Sequence, residues 1–175
     1  MATNYVWRNA QTPIIWGQPT ASGVTRDLSL NNLGPNAAQM GQAADLGEFY
    51  PSLIELTVAF ETGSAPAALA EILTYLAWSR NGTDWACNVT GSNGAYTVGT
   101  SDANMRPLGL SYAWLATADA NKLQRYFTYL IVPRGRWVAP VVHNRMAVGI
   151  RNQPTATDNL SRVIITPSPE VAKPL

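Results

Sequence analysis

The chain has 175 residues and a net charge of +1, from 12 basic and 11 acidic side chains, and charged residues make up only 13% of it. That is about half the usual share of roughly 25%, and it excludes the basic footprint of a nucleic-acid or anionic-membrane binder. A single cysteine, Cys87, excludes an intramolecular disulfide and a Cys-rich zinc site.

The first 50 residues read as an extended arm, broken by Pro13, Pro19 and Pro35 and by five glycines. Only residues 24–31 alternate well enough to predict a short strand there. The arm nevertheless carries Tyr5, Trp7, Trp16, Phe49 and Tyr50. Disordered tails are poor in aromatics, so these side chains are expected to dock, on the chain's own core or on a neighbour. The opening residues lack the basic and apolar regions of a secretory signal, and no apolar run approaches the roughly 20 residues of a membrane helix. Synthesis in a cytoplasm and no membrane partner are the expectations.

Residues 51–167 carry the regular pattern. In residues 54–61, Ile54, Leu56, Val58 and Phe60 face one way while Glu55, Thr57, Ala59 and Glu61 face the other. That is the period of a half-buried antiparallel strand. A second strand is favoured over residues 72–78, although Ser64 and Pro66 also suit the opening of a helix. Residues 79–107 form a long polar stretch, of a length that is usually functional or ordered by a partner. Strands resume at residues 110–117, 123–132, 137–143 and 161–166. Residues 118–121 suit a hairpin and residues 133–136 a tight loop. Residues 168–175 read as an extended tail. Seven or eight strands without a long helix predict an all-β fold, an antiparallel β-sandwich of jelly-roll kind.

Catalytic patterns are thin. His143 is the one histidine, and no Gly-x-Ser-x-Gly elbow accompanies it. Glu55 and Glu61 lie on one strand face with backbones roughly 20 Å apart at about 3.3 Å per residue, too far for an acid/base pair. Glu71, on the next strand, makes a closer pair conceivable; solvated strand charges explain it equally well. No cofactor, metal or enzymatic activity is expected. The aromatics and arginines are the sharper signal. Six tryptophans, seven tyrosines and ten arginines against two lysines match the residue types enriched at interface centres. Trp78, Trp114 and Trp137, on predicted strands, suit the core. Trp7, Trp16 and Trp85, outside them, are interface candidates, together with Tyr96. Arg134 and Arg136 flank Gly135 in a loop suited to pairing with an acidic neighbour.

Three stretches carry a family resemblance. One is Gln42-Ala43-Ala44-Asp45-Leu46-Gly47, leading into the strand at Ile54. Another is Ala65-Pro66 with the strand ending Ala77-Trp78-Ser79. The third runs from Leu115-Ala116-Thr117-Ala118-Asp119 through residues 136–144 to Ile164-Ile165-Thr166-Pro167. Across residues 42–167 the chain resembles the small β-sandwich virion proteins of tailed bacteriophages, the group that includes head decoration (cement) proteins. The resemblance implies a non-enzymatic virion protein at the capsid surface, whose partners are the major capsid protein or other virion subunits, and which forms a homo-oligomer. A carbohydrate-binding or adhesin-like sandwich, with Trp85 or Tyr96 as stacking platforms, is the alternative, as is a neck or tail component.

Overall fold

The computed structural model describes residues 12–19, 21, 23–48, 51–85, 87–98, 111–151 and 161–168. Eleven strands occur in chain order: β1 (Ile14–Gly17), β2 (Arg26–Asp27), β3 (Ala38–Met40), β4 (Ala44–Asp45), β5 (Ile54–Glu61), β6 (Glu71–Ser79), β7 (Gly94–Tyr96), β8 (Ser111–Leu115), β9 (Leu123–Ile131), β10 (Trp137–Asn144) and β11 (Arg162–Pro167). No helix is present among the described residues. The strands form two sheets, β2-β1-β11-β5-β9 and β7-β3-β10-β6-β8, with β4 also paired to β10. Every pairing is antiparallel except β1 with β2. The architecture is an all-β sandwich.

The alternation read from the sequence produces its core. Ile54, Leu56, Val58 and Phe60 of the first sheet meet Ile72, Leu76, Val138 and Val142 of the second in one buried cluster. The strands expected at residues 54–61, 72–78, 123–132, 137–143 and 161–166 fall within one residue of those bounds. The one at 110–117 is Ser111–Leu115, the one at 24–31 is reduced to Arg26–Asp27, and residues 72–78 are strand rather than helix. The link over residues 118–121 is not a hairpin: it carries the chain from β8 in the second sheet to β9 in the first. A four-residue turn reverses the chain in either case. The sequence around it does not distinguish pairing within a sheet from stacking across two.

The first 50 residues are a larger correction. Within their described part, β1, β2, β3 and β4 join both sheets. Trp16, Leu28, Leu30, Leu33 and Leu46 belong to the main core. These strands span only two to four residues, too short for a period to show. β10 illustrates how the breaks are used. Pro140 sits in mid-strand, where a missing N–H would normally leave a ladder gap. Its carbonyl accepts the Gly41 N–H at 2.8 Å, so its nitrogen faces the same side, where β3 ends and β4 has not begun. The partner strand is interrupted where the donor is absent.

Candidate interface

The outer faces of the two sheets differ. Behind the second sheet, Tyr75, Ala77, Ala139 and Val141 form a second buried cluster with Val89 and Tyr96, and Trp85, Cys87 and Val98 pack against it. The polar stretch after β6 therefore folds back over this sheet. β7 pairs with β3, the Tyr96 hydroxyl donates to the Cys87 carbonyl, and burial raises the Tyr96 pKa. Cys87 and Asn88 take φ values of 62° and 59°, a left-handed turn that doubles the chain back. The described part of the stretch is ordered by its own chain; residues 99–107 lie outside the described residues.

The outer face of the first sheet carries no such layer among the described residues. Register aligns Ile15 with Ile164, Ile164 with Thr57 and Thr57 with Phe127, a transverse row across β1, β11, β5 and β9. At about 4.8 Å per strand the row spans roughly 14 Å. Ile15, Ile164 and Thr57 are half-exposed, and Phe127 is 54% exposed. In the next row Arg162 and Arg125 flank Ala59. Burial first, then the charge of Arg125, pushes the Arg162 guanidinium below its ordinary pKa.

The row ends at an open side of the sandwich. β9 and β8 are the edges of their sheets there, nine and five residues long. The large exposed apolar residues among those described are Leu69, Leu115, Phe127 and Val132. Leu115 and Phe127 lie in these edge strands, Val132 follows β9, and Leu69 precedes Ala70, whose carbonyl accepts the Ala116 N–H just past β8. Leu69 is 71% exposed with φ 64°, a conformation that leucine rarely takes. On the opposite side the edges are β2 and β7, of two and three residues, with Arg26 and Asp27 in β2. Short, charged edges resist pairing with other chains, whereas long apolar ones invite it.

The open side is also stiff. Trp114 of β8 packs its ring against Tyr112 and against Tyr126 of β9, with centroids 5.9 and 5.8 Å away, and Tyr126 stacks on Phe60 at 5.7 Å. Trp114 donates its indole N–H to Thr74 Oγ1 at 3.1 Å, and the Tyr126 hydroxyl donates to the Leu115 carbonyl at 2.6 Å. Gln124 closes the end, accepting from Thr117 N and donating to Thr117 O. Aromatic contacts of this kind are worth about 0.5–1.5 kcal/mol each beyond area burial. They hold the two edges in fixed relation. Neither a protein family, nor a curated protein, nor a solved structure matches this chain.

The residues expected at an interface fall in different places. Trp16 is fully buried, with its indole N–H on the Gln42 carbonyl at 2.6 Å; it is a core residue. Tyr96 is buried as well and offers no stacking platform. Trp85 is half-buried, tied to the Gly82 carbonyl at 3.0 Å, and its ring lies about 3 Å from where a Gly91 Cβ would stand. Arg136 grips Asp45 through two hydrogen bonds of 2.7 and 2.6 Å and holds that carboxyl below its ordinary pKa; its carboxylate is in its own chain. Arg134 is exposed and lines a cleft with Trp78, Ser79, Arg80, Asn81 and Asp84. Trp7 lies outside the described residues. Of the tryptophans assigned to the core, Trp114 is buried in it, Trp78 packs against it, and Trp137 lies half-buried against Gly82.

Two of the three carboxylates considered for acid/base work are held in ion pairs. Glu61 pairs with Arg151 and Glu71 with Arg145. His143, in β10, is half-buried. Burial, then Arg145, lowers its pKa against a hydrogen bond that the imidazole donates to the Asn36 backbone, and its Nδ1 has no hydrogen-bond partner among the described residues. No group of three or more His, Cys, Asp or Glu side chains placed to hold a metal occurs among the described residues. Sequence reasoning missed Leu69, Leu115, Phe127 and Val132. Their signal is aliphatic and aromatic residues in or beside strands whose edge position depends on distant pairings.

Proposed function

We propose that this chain is a non-enzymatic structural subunit that associates edge to edge with a neighbouring copy through β9 and β8, in a virion shell as a decoration protein. The observation that carries this reading is the placement of the large exposed apolar side chains, Leu115 and Phe127 in the two edge strands and Leu69 and Val132 beside them. A strand added to β9 places its outward side chains beside Phe127, and one added to β8 places them beside Leu115. Cross-strand apolar pairs of this kind contribute roughly 0.2–1 kcal/mol each. Repetition over many copies turns moderate contacts into firm attachment.

The strand order supports a jelly roll. Setting aside the short β2, β4 and β7, the sheets read β1-β11-β5-β9 and β3-β10-β6-β8. The connections β5 to β6, β8 to β9 and β9 to β10 all pass from one sheet to the other. That is the winding of an eight-stranded double Greek key, an architecture that viral capsid and lectin domains share. Fold alone therefore does not choose between a shell protein and a lectin. The buried Tyr96 and packed Trp85 weigh against the lectin reading at those two residues. The virion setting itself rests on the resemblance over residues 42–167.

Two measurements test the proposal. Sedimentation of the full chain should show concentration-dependent self-association that Phe127→Asp abolishes while its circular dichroism stays that of a folded β-protein. Quantitative protein composition of purified particles should then show the chain in hundreds of copies. A strictly monomeric chain, or its absence from particles, overturns the reading.

A further inference from the structure

We propose that the cleft between the β6–β7 and β9–β10 connections binds an acidic peptide segment of a neighbouring subunit. Arg80 and Arg134 clamp its carboxylates, and Trp78 packs against its side-chain methylenes. The cleft measures about 460 Å³ and is lined by Trp78, Ser79, Arg80, Asn81, Asp84 and Arg134. Arg136, Arg145 and Arg151 each hold a carboxylate of this chain. Arg80 and Arg134 are exposed and hold none among the described residues. Asp84, the carboxylate in the lining, is occupied by the Asn81 side-chain amide at 2.6 Å. Two guanidinium groups thus line an opening whose one carboxylate, Asp84, pairs with neither of them among the described residues, and a guanidinium without a carboxylate is suited to fork onto one.

The frame around them is set in advance. Ser79 is buried, and its Oγ accepts the Asn81 and Gly82 N–H groups at 3.3 and 3.0 Å while donating to Asn81 Oδ1. Asn81 Oδ1 also accepts from Thr83 and Asp84 N–H, which fixes the turn beside Arg80. On the other wall, a Cβ at Gly135 would stand 2.7 Å from the Ser79 carbonyl. That contact pins the loop behind Arg134, and the Arg136–Asp45 clamp holds its far end. Such preorganisation lowers the ordering cost of binding.

Shape and charge select a peptide. The cleft exceeds the size of a lone phosphate, and the Trp78 wall adds an apolar contact that a bare anion does not use. A net charge of +1 gives no basic track for a nucleic acid. The identity of the donor as a neighbouring subunit rests on the assembly reading above. The cleft chemistry does not, so it is tested on the free chain.

The probe is N-acetyl-Glu-Glu-Glu-amide, titrated into the nitrogen-15-labelled full chain, with inorganic phosphate as the second probe. The peptide should shift the Trp78 indole N–H and the Arg80 and Arg134 Nε–H signals saturably. The double variant Arg80→Gln/Arg134→Gln should lose at least tenfold in affinity, and Arg26→Gln, in β2 at the opposite edge, should lose none. Equal loss in Arg26→Gln, no saturable shift, or an equal response to phosphate without movement of Trp78 would each overturn the proposal. Failure of edge association with this titration intact would remove only the donor's identity.

Discussion

The two outer faces of the sandwich are built from strands of similar length but unlike side chains. The second sheet turns Tyr75, Ala77, Ala139 and Val141 outward and is covered, whereas the first sets Ile15, Ile164 and Phe127 among Thr57, Arg125 and Arg162 and has no cover among the described residues. Behind the second sheet the chain spends residues 79–98 on a return excursion that buries Tyr75, Val89, Tyr96 and Val141. Behind the first sheet the row Ile15, Ile164, Thr57 and Phe127 is left half-open. The difference teaches where to look for partners. The apolar outer face is closed by the chain's own connection, and the face beside the long β9 edge is the one proposed above for contact. On the proposed reading, aromatic residues count for stability on the covered face and for association on the open one.

The strongest challenge to this division is Trp16, which sits between the sheets. Trp16→Ala removes a fully buried indole and its hydrogen bond, and should cost about 3–5 kcal/mol of stability in denaturant unfolding. A loss below about 1 kcal/mol would return Trp16 to the surface. On the covered face, Tyr96→Phe should cost about 1 kcal/mol, the net worth of one hydrogen bond. It should also speed amide exchange in residues 87–98. Unchanged exchange would mean that the excursion is held by something other than the Tyr96–Cys87 contact.

His143 adds a pH dependence to the same sheet. Its pKa in the folded chain lies below the ordinary 6.5, chiefly through burial. Its neutral form is therefore favoured by folding, and that contribution is complete above about pH 6.5. It is lost as pH falls through the folded value. Thermal unfolding between pH 8 and 5 should show a decline that His143→Gln flattens; parallel curves for the two proteins would assign the decline elsewhere. The open face should behave differently. Thr57→Val extends the apolar row and should leave stability within about 0.5 kcal/mol while strengthening self-association. Raising salt from about 0.1 to 0.5 M, which screens exposed charges beyond several ångströms, should weaken that association only slightly.

What the sequence revealed follows from length scales. β5, β6, β9, β10 and β11 each run six residues or more, long enough for a period of two to stand out. β1, β2, β3, β4 and β7 run two to four, and only their pairing with distant strands defines them. The candidate site was less visible for the same reason. Arg136 reads as a free loop arginine until its partner Asp45, 91 residues away, is brought beside it. Phe127 reads as one more strand residue until β9 proves to be an edge. Arg134 lines the cleft in the loop where the sequence placed it, because a Gly-flanked turn between two long strands has little else to do.

The pairing of β1 with β11 has a consequence for synthesis. Ile14 and Ile165 are neighbours in the first sheet, so the middle of that sheet cannot close until nearly the whole described chain has left the ribosome. Closing so long a loop is entropically costly and slow. Until β11 arrives, β5 lacks one of its two partners, and β9, on the other side of β5, is appended to a half-built sheet. The edge proposed to recruit neighbours thus becomes a firm template only once β11 has been made, a built-in delay between its own synthesis and assembly.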